Sequence, residues 1–486
     1  MRRHCLLVAA TLVALSCGDS SGPSGGRPGL TLVSGYDVTD TVGAKPVKAL
    51  VVEVRDQRGA IVPRGTVVRF TPAMSSFSPE MLVEALTSPY YEIFTTGETD
   101  AAGRAGVLVQ LGNFAGAARI AISVPTFGLQ DTARFTVLPG RPAAILMLPS
   151  DTAMYTTGSY AIRGGVVDRF NNPRNDPVVY ASSSPGVSVS SSGMVTASAL
   201  GRYTLTGTLG ALSGSSSLSI VPQGTLAALV YRTNGLRIVT FNLDGSGFHD
   251  LVGVIDGGIG PHPQWLPASS TIIYTELVNG LQQLRTVDAS GKVSTFFSNP
   301  PATMTHQAEP SPSANAPVLY FSAYDSRCSY YAYCLFRSGI DGTSPELLGD
   351  IIAPGEAIGH PSPSPDGSKV AFVASGPQIK VFDYTTKTVS AWSVTGNYPA
   401  WSPDGTQIAY AEQYGGSLHL MNADGTNQRV ITGSRPYAEV TPVWSPDSKW
   451  VIAQNTSYGV LDIIEVATGN ILPVINGAGY GSLSWK

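Results

Sequence analysis

A short phrase recurs in the C-terminal half of this 486-residue chain. It reads YPAWSPDGTQIAYAE from Tyr398, HPSPSPDGSKVAFVA from His360 and TPVWSPDSKWVIAQ from Thr441. A phrase that returns at intervals of about 40 residues is typical of repeat architectures, in which each copy is one supersecondary unit. This recurrence limits the fold more than any other feature, because a repeat buries its apolar face only against its neighbours.

Weaker copies extend the pattern in both directions. PQWLPASSTIIY begins at Pro263, a degenerate PSPSANAPVLYF begins at Pro310, and the chain ends in GSLSWK just after Trp485. The segment LAALVYRT, from Leu226, reads like the strand that should follow such an ending. We therefore predict that the end of the chain supplies the first strand of the first unit and closes a ring. The six units start near Leu226, Pro263, Pro310, Pro361, Pro399 and Pro442.

Each unit continues into short apolar strands separated by turns such as NLDGSG, GIDGTS and NADGTN. Asp-Gly between alternating strands predicts a hairpin in which both residues adopt positive φ. Four short strands in about 40 to 50 residues make one blade of a β-propeller. The region resembles the WD40-like (PD40) repeats of TolB-type propellers. The resemblance implies an all-β, six-bladed β-propeller over residues 223–486.

The repeated residues are interpreted as structural, and no catalytic residue is predicted among them. Asp404 is expected to accept backbone N–H bonds in a turn, as aspartate often does. Trp401 is expected to pack between neighbouring blades. The equivalent residues in other units are Asp366, Asp447, Trp265, Trp444 and Trp485.

The residues before the repeats contain a doubled pattern. GRPGLTLV, which ends at Val33, is echoed by GRPAAILM, which begins at Gly140, and each copy leads to a strand that ends in Asp and a turn. In the first of these strands, from Leu50, apolar and polar residues alternate, which predicts a half-buried strand. Both copies resemble bacterial Ig-like domains. The resemblance implies two β-sandwiches, residues 29–138 and 139–222, that act as spacers or adhesive modules.

The N-terminus resembles a bacterial lipoprotein signal. Arg2 and Arg3 precede an apolar stretch too short to span a membrane as a mature helix, and small Ser16 stands just before Cys17. The resemblance implies that residues 1–16 are removed, that Cys17 carries the lipid, and that residues 17–28 form a Gly/Ser-rich tether. The expected location is the bacterial cell envelope, at the outer membrane. The alternative is an ordinary secretory signal in which the cysteine is incidental.

Charge and cysteine content restrict the partners. The formal net charge is −4 with no basic block, so a nucleic-acid partner is excluded. Cys328 and Cys334 lie in one tyrosine-rich segment of an exported chain, which predicts a local disulfide rather than a metal site.

Three histidines stand just before inner strands in consecutive units: His262, His306 and His360. Such positions lie near the rim of a propeller's central channel. With Glu309 they form a candidate transition-metal set, of the kind that some polysaccharide lyases of this repeat class use. The alternative is that they are polar residues that begin strands at a solvated rim. We favour the second interpretation and predict no cofactor.

These observations predict a lipid-anchored envelope protein that binds a protein or glycan at its propeller rim and is not an enzyme. The alternatives are a metal-dependent polysaccharide-degrading propeller and a purely structural or adhesive surface protein.

Overall fold

The computed structural model describes residues 27–75, 78–87, 90–233, 235–255, 262–328, 333–348, 358–374, 376–412, 416–432, 441–455, 460–476 and 480–486. These residues form β-strands and one short 3-10 turn, Pro125–Phe127, so the prediction of an all-β chain is confirmed. Within this described part, no helix is long and apolar enough to cross a membrane. The predicted signal and Cys17 lie outside the described residues.

The described residues divide into two compact units. The first unit takes its residues from Met1–Leu146 and Gly165–Pro177, and the second from Met147–Gly164 and Val178–Lys486. The first unit contains a two-layered sandwich made of sheets β1-β3-β9-β7 and β2-β11-β10-β4-β8. Its strands, with a two-stranded β5-β6 ribbon, are β1 (Gly29–Ser34), β2 (Val38–Thr41), β3 (Leu50–Arg55), β4 (Val67–Pro72), β5 (Met74–Ser75), β6 (Ser78–Pro79), β7 (Met81–Ala85), β8 (Thr95–Glu98), β9 (Arg104–Leu111), β10 (Gly116–Val124) and β11 (Leu129–Leu138).

Strand β3 shows why this sandwich forms. Leu50, Val52 and Val54 are fully buried, while the residues between them are half-buried, as the alternation predicts. The buried face packs with Phe70 and Ile120 of the opposite sheet in one apolar core.

Ten strands follow: β12 (Pro142–Leu148), β13 (Asp151–Met154), β14 (Ser159–Ala161), β15 (Arg163–Asp168), β16 (Pro173–Arg174), β17 (Val179–Ser182), β18 (Val187–Val189), β19 (Met194–Ala197), β20 (Gly201–Leu209) and β21 (Leu212–Ile220). They form sheets β12-β15-β16, β13-β21-β20-β17 and β14-β19-β18. Strand β13 pairs in parallel with β21, just as β2 pairs in parallel with β11. The shared pairing matches the doubled sequence pattern, and membership of the Ig-like class stays a prediction.

The remaining strands form six four-stranded antiparallel sheets in the described part of the chain, which we call blades 1 to 6. Blade 1 contains β22 (Thr225–Arg232), β23 (Gly235–Asn242), β24 (His249–Ile255) and β45 (Tyr480–Trp485). Blade 2 contains β25 (Gln264–Trp265), β26 (Ile272–Val278), β27 (Leu281–Val287) and β28 (Val293–Thr295). Blade 3 contains β29 (Met304–Pro312), β30 (Val318–Asp325), β31 (Tyr333–Gly339) and β32 (Glu346–Leu347).

Blade 4 contains β33 (Gly359–Pro363), β34 (Lys369–Ala374), β35 (Gln378–Asp383) and β36 (Thr388–Thr395). Blade 5 contains β37 (Asn397–Trp401), β38 (Gln407–Ala411), β39 (Leu418–Asn422) and β40 (Arg429–Val430). Blade 6 contains β41 (Val443–Trp444), β42 (Trp450–Asn455), β43 (Val460–Glu465) and β44 (Ile471–Asn476).

The two ends of this region meet and close a ring. Strand β45 is antiparallel to β22, with Trp485 opposite Leu226. Thr225 and Lys486 exchange both of their backbone hydrogen bonds, at 2.8 and 2.9 Å. Each inner strand contacts the next in the order β25, β29, β33, β37, β41 and β45, and β45 contacts β25 again. The predicted six-bladed propeller, closed by the end of the chain, is confirmed.

Each boundary between blades holds a buried apolar cluster, which explains how short sheets are held in a ring. Each cluster draws residues from both sides of its boundary, represented by Leu229 and Tyr274, Ile273 and Phe321, Tyr320 and Phe372, Ile379 and Trp401, Leu420 and Trp444, and Ile463 and Trp485. Trp265 is partly buried against the first of these clusters. The repeated tryptophans therefore lie between blades.

The Ser-Pro-Asp phrase forms a turn at the end of the inner strand. Ser402 Oγ donates to Asp404 Oδ1 at 2.6 Å and accepts the N–H of Gln407 at 3.0 Å. Asp404 Oδ1 also accepts the N–H of Thr406 at 2.9 Å. Asp366 and Asp447 accept the equivalent backbone N–H groups, at 3.0 and 3.2 Å.

The Asp-Gly hairpins differ from the prediction. Gly245, Gly342 and Gly425 adopt φ of 82° to 84°, whereas the aspartates before them do not adopt positive φ. The reason is that the loop has three residues rather than two: Asn242 N–H donates to Ser246 O at 2.8 Å across the first such loop. A three-residue loop needs one left-handed residue, and glycine supplies it.

A disulfide joins Cys328 to Cys334. It links the segment just after β30 to β31. Cys334 is buried in the cluster between blades 2 and 3.

Candidate functional site at the channel mouth

Six positions, one in each blade, surround the entrance to the central channel. Each lies three residues before the tryptophan position of an inner strand, and we call them the channel-mouth ring: His262, Glu309, His360, Tyr398, Thr441 and Ser482. The first four precede a proline and adopt left-handed φ of 37°, 50°, 55° and 54°. Non-glycine residues seldom adopt this conformation, and where they do they often belong to functional sites.

Glu309 and His360 form the centre of the ring. His360 Nδ1 lies 3.0 Å from Glu309 Oε1, and the backbone N–H of His360 donates to Glu309 Oε2 at 2.9 Å. Ser322 Oγ donates to the same Oε2 at 2.9 Å. The Glu309 side chain is 13% exposed, so its carboxylate is held by neighbouring groups rather than by bulk solvent.

The surroundings of Glu309 favour its ionised form. Burial alone would raise the pKa of this carboxyl, but the hydrogen bond and charge of His360, with the charge of His262, lower it to about 2. Burial lowers the pKa of His262, and the charge of His360 lowers it further, while Glu309 opposes the shift. At neutral pH the ring therefore holds a carboxylate beside a neutral His262.

His262 is fixed from the opposite side by the closing strand. Its Nδ1 lies 3.0 Å from Ser482 Oγ, and its ring centroid lies 6.5 Å from that of His360. The Tyr398 ring packs on His360 with centroids 4.2 Å apart. Because the Nδ1 atoms of His262 and His360 are engaged, Nε2 is the nitrogen that remains for a further partner on each imidazole.

A cavity of about 190 Å³ continues from the ring into the channel. Its described lining contains prolines, tryptophans and small polar side chains but no Lys or Arg. Asn315 of blade 3 donates its backbone N–H to Pro365 O of blade 4 at 2.9 Å, and its side chain reaches Pro403 O of blade 5 at 3.5 Å. These contacts join blades 3, 4 and 5.

The predicted residue His306 is not part of the ring. It lies three residues before Glu309 on β29, beside a separate cavity, with its ring 6.2 Å from that of Tyr324. Glu309, and not His306 as predicted, occupies the blade 3 position of the ring. The residue pairs Glu309-Pro310 and Tyr398-Pro399 repeat the His-Pro signal of blades 2 and 4, so this signal would have identified both Glu309 and Tyr398.

Among the residues that the structure describes, no group of three or more His, Cys, Asp or Glu side chains is arranged to hold a metal ion. Glu309 is placed to orient His360 through Nδ1, which is the usual task of a carboxylate behind a metal-binding or proton-transferring imidazole.

No known protein-family profile matches the chain. One curated protein, described as the uncharacterized peptidase YuxL of Bacillus subtilis (strain 168), is 29% identical over 111 residues. That match covers 20% of this chain and 17% of the peptidase. Thus the chain spans only about a sixth of the length of this relative.

Several solved structures resemble the chain at low identity. TolB from Acinetobacter baumannii is 14% identical with a TM-score of 0.44, over 72% of this chain and 90% of that one. A putative TolB from Agrobacterium tumefaciens is 14% identical with a TM-score of 0.38, over 52% and 90%. An oligogalacturonate lyase in complex with manganese is 12% identical with a TM-score of 0.38, over 61% and 84%. Similarity at this level assigns no activity, substrate or partner to the chain.

Proposed function

We propose that this chain is a lipid-anchored cell-envelope protein whose propeller binds a protein or glycan at the channel-mouth ring. The Glu309–His360 pair supports the proposal most directly. It places an ionised, hydrogen-bonded carboxylate at the entrance to a cavity whose described lining contains no Lys or Arg. Concave sites that combine a few fixed polar groups with apolar walls are the usual places for ligands. The two N-terminal sandwiches act as spacers that hold the propeller away from the membrane.

A capture experiment tests this function. The mature chain is immobilised and exposed to envelope extract, and retained proteins and glycans are identified by mass spectrometry and sugar analysis. Binding is expected to fall at least severalfold in the double variant Glu309→Gln/His360→Gln. The control is Asp424→Asn, which changes an exposed turn carboxylate in blade 5. Equal retention by the wild type and the double variant would contradict a role for the ring.

The anchor needs a separate test, because Cys17 follows Ser16 at the end of the apolar stretch. Labelled fatty acid is expected to enter the wild-type chain and not the variant Cys17→Ser, and only the wild type should partition into detergent. Equal labelling of both chains would contradict lipid attachment at Cys17, and label in neither would favour the ordinary secretory signal.

A second candidate function is metal-assisted degradation of a polysaccharide. The observation that favours it is the pair of imidazoles, His262 and His360, whose rings lie 6.5 Å apart with Glu309 behind one of them. His262 and His360 would hold a transition metal through nitrogen, and the metal would polarise a substrate oxygen as a Lewis acid. Depolymerisation of an acidic polysaccharide that depends on added manganese, and that His360→Ala abolishes, would establish this activity.

A further inference from the structure

Two cavities flank blade 3 on the face that carries the channel-mouth ring. One, of about 320 Å³, is lined by Glu309, Tyr333, His360 and Asn397 among others. The other, of about 260 Å³, is lined by Gln283, Thr295, His306 and Gln307 among others. Both lie at strand ends on this face: Tyr333 begins β31, and His306 lies near the beginning of β29.

Three aromatic rings in edge-to-face contact lie between the two cavities. Tyr333 lines the first cavity, and its ring lies 6.0 Å from that of Tyr324. Tyr324 in turn lies 6.2 Å from the ring of His306, which lines the second cavity. All three side chains are half-buried. We call the two cavities and this row of rings the blade-3 groove.

The described lining of the groove holds one carboxylate and no Lys or Arg. That carboxylate is Glu309, which lines the first cavity. Two guanidinium groups lie nearby, and each is neutralised by a carboxylate. Arg327 is 2.8 Å from Asp325, and Arg285 is 3.4 Å from Glu276.

The polar side chains of the groove suit hydroxyl groups. Amide, imidazole and hydroxyl side chains both donate and accept hydrogen bonds, as a sugar hydroxyl does. Aromatic rings supply broad apolar surfaces against which the C–H face of a sugar ring packs. Tyr333 is held rigid for this role because its hydroxyl donates to Gln282 Oε1. An anionic sugar, by contrast, would be repelled by Glu309, and the described lining of the two cavities offers no Lys or Arg to offset that repulsion.

We infer that the blade-3 groove binds a neutral, hydroxyl-rich glycan chain, which lies along the row Tyr333, Tyr324 and His306 between the two cavities. The inference rests on the proposed function and specifies it: the ligand is a glycan rather than a protein, and it is neutral rather than acidic. It also extends the site beyond the ring, to residues of blades 2 and 3.

The test is calorimetric titration of the mature chain with three oligosaccharides: cellohexaose, chitohexaose and hexagalacturonate. At least one neutral hexasaccharide is expected to bind at least about tenfold more tightly than hexagalacturonate. Tyr324→Ala and His306→Ala should each weaken that binding about tenfold. Tyr231→Ala, which removes a 59%-exposed tyrosine from blade 1, should leave it unchanged. Thermal melting of each variant confirms that it is folded.

Each other outcome overturns the inference in a distinguishable way. Tighter binding of hexagalacturonate would show that the ligand is acidic. Binding that survives both Tyr324→Ala and His306→Ala would place the glycan outside the groove. Capture of a protein by the ring, with no binding of any hexasaccharide, would refute the glycan and leave the proposed function standing. Failure of both experiments would refute the function itself.

Discussion

Trp444 donates its indole N–H to the carbonyl oxygen of Ala400 at 2.8 Å, across the boundary between blades 6 and 5. Trp444 is 7% exposed and belongs to the apolar cluster that fills this boundary. One repeated residue therefore contributes both buried area and a hydrogen bond to the neighbouring blade. The packing of the ring recurs at Trp401 and Trp485, whereas the hydrogen bond to the neighbouring blade does not, because Trp401 donates to Gly405 of its own blade.

Substitutions at Trp444 separate these two contributions. Trp444→Ala is expected to lower the free energy of unfolding by about 3–5 kcal/mol, because a large ring is lost from a packed boundary. Trp444→Phe keeps most of the ring and leaves the Ala400 carbonyl without this donor, so it should cost less, with about 1 kcal/mol from the hydrogen bond. Denaturant unfolding measures both. Equal losses in the two variants would show that the hydrogen bond, and not the packing, dominates.

Removal of the closing strand is expected to destabilise the whole ring. Deletion of residues 482–486 removes Trp485 from the boundary between blades 6 and 1 and exposes the edge of β22. The loss of the tryptophan alone should cost about 3–5 kcal/mol, a large part of the 5–15 kcal/mol typical of a domain. The truncated chain should melt well below the parent or aggregate through the open edge. An unchanged melting temperature would mean that β45 contributes little to closure.

The turn aspartates are expected to matter through their acceptor oxygen rather than through their charge. Asp404→Ala removes the acceptor for Ser402 and Thr406 and should lower the free energy of unfolding by about 1–2 kcal/mol. Asp404→Asn retains an oxygen in the same place and should cost less. Thermal melting at neutral pH compares them. If both variants were equally destabilised, the carboxylate charge would be the important property.

Most of the propeller was predictable because its information is local and repeated. The spacing of Pro399, Trp401 and Pro403 returns in other units, and the truncated GSLSWK at the end of the chain complements the unmatched strand at Leu226. The number of blades and the closure of the ring can therefore be predicted from the sequence without knowledge of any long-range contact. The turn conformation at Asp244-Gly245 was not predictable from the dipeptide alone, because loop length decides whether one or two residues adopt positive φ.

The channel-mouth ring was predictable only in part. His262 and His360 were predicted because histidine before an inner strand is a candidate metal ligand. Glu309 was predicted only as a companion of His306, and Tyr398 was not predicted. In blade 3 the repeat begins at Pro310, so Glu309 directly precedes it, as His360 precedes Pro361, whereas His306 lies three residues earlier on β29. The contacts of Glu309 with Ser322 and His360 join different strands and blades, and such contacts depend on the assembled ring.

Acid stability is expected to depend on Glu309. Its pKa is lowered from 4.5 in the unfolded chain to about 2 in the folded protein, so its contribution is fully present above pH 4.5 and is lost as the pH falls from 4.5 towards 2. The contribution is at most about 3 kcal/mol. His262 acts in the same direction at higher pH, because the unfolded chain takes up a proton below pH 6.5 more readily than the folded protein does.

The variant Glu309→Gln isolates this carboxyl. The difference in unfolding free energy between wild type and variant should be largest near neutral pH and should shrink as the pH falls below 4.5. Urea unfolding across this pH range measures it. A difference that stays constant with pH would show that Glu309 acts through its shape and hydrogen bonds, with no contribution from ionisation.

The histidines allow a direct choice between a binding protein and a metal enzyme. If His262, His306 and His360 were all ligands, the purified protein would contain a transition metal in near-stoichiometric amount. Each Ala variant would then release it, because an incomplete ligand set binds far more weakly. His306 lies beside a different cavity from the other two, so one shared metal is not expected.

We therefore expect negligible metal by elemental analysis, in the wild type and in all three variants. We also expect different stability changes at the three positions. His306→Ala should change the free energy of unfolding by no more than about 0.5 kcal/mol, as changes away from buried networks usually do. His360→Ala should cost more, because it leaves Glu309 Oε1 without its imidazole partner. Metal that is bound by the wild type and lost from His262→Ala and His360→Ala, but retained by His306→Ala, would establish a two-histidine site at the channel mouth and favour the enzyme.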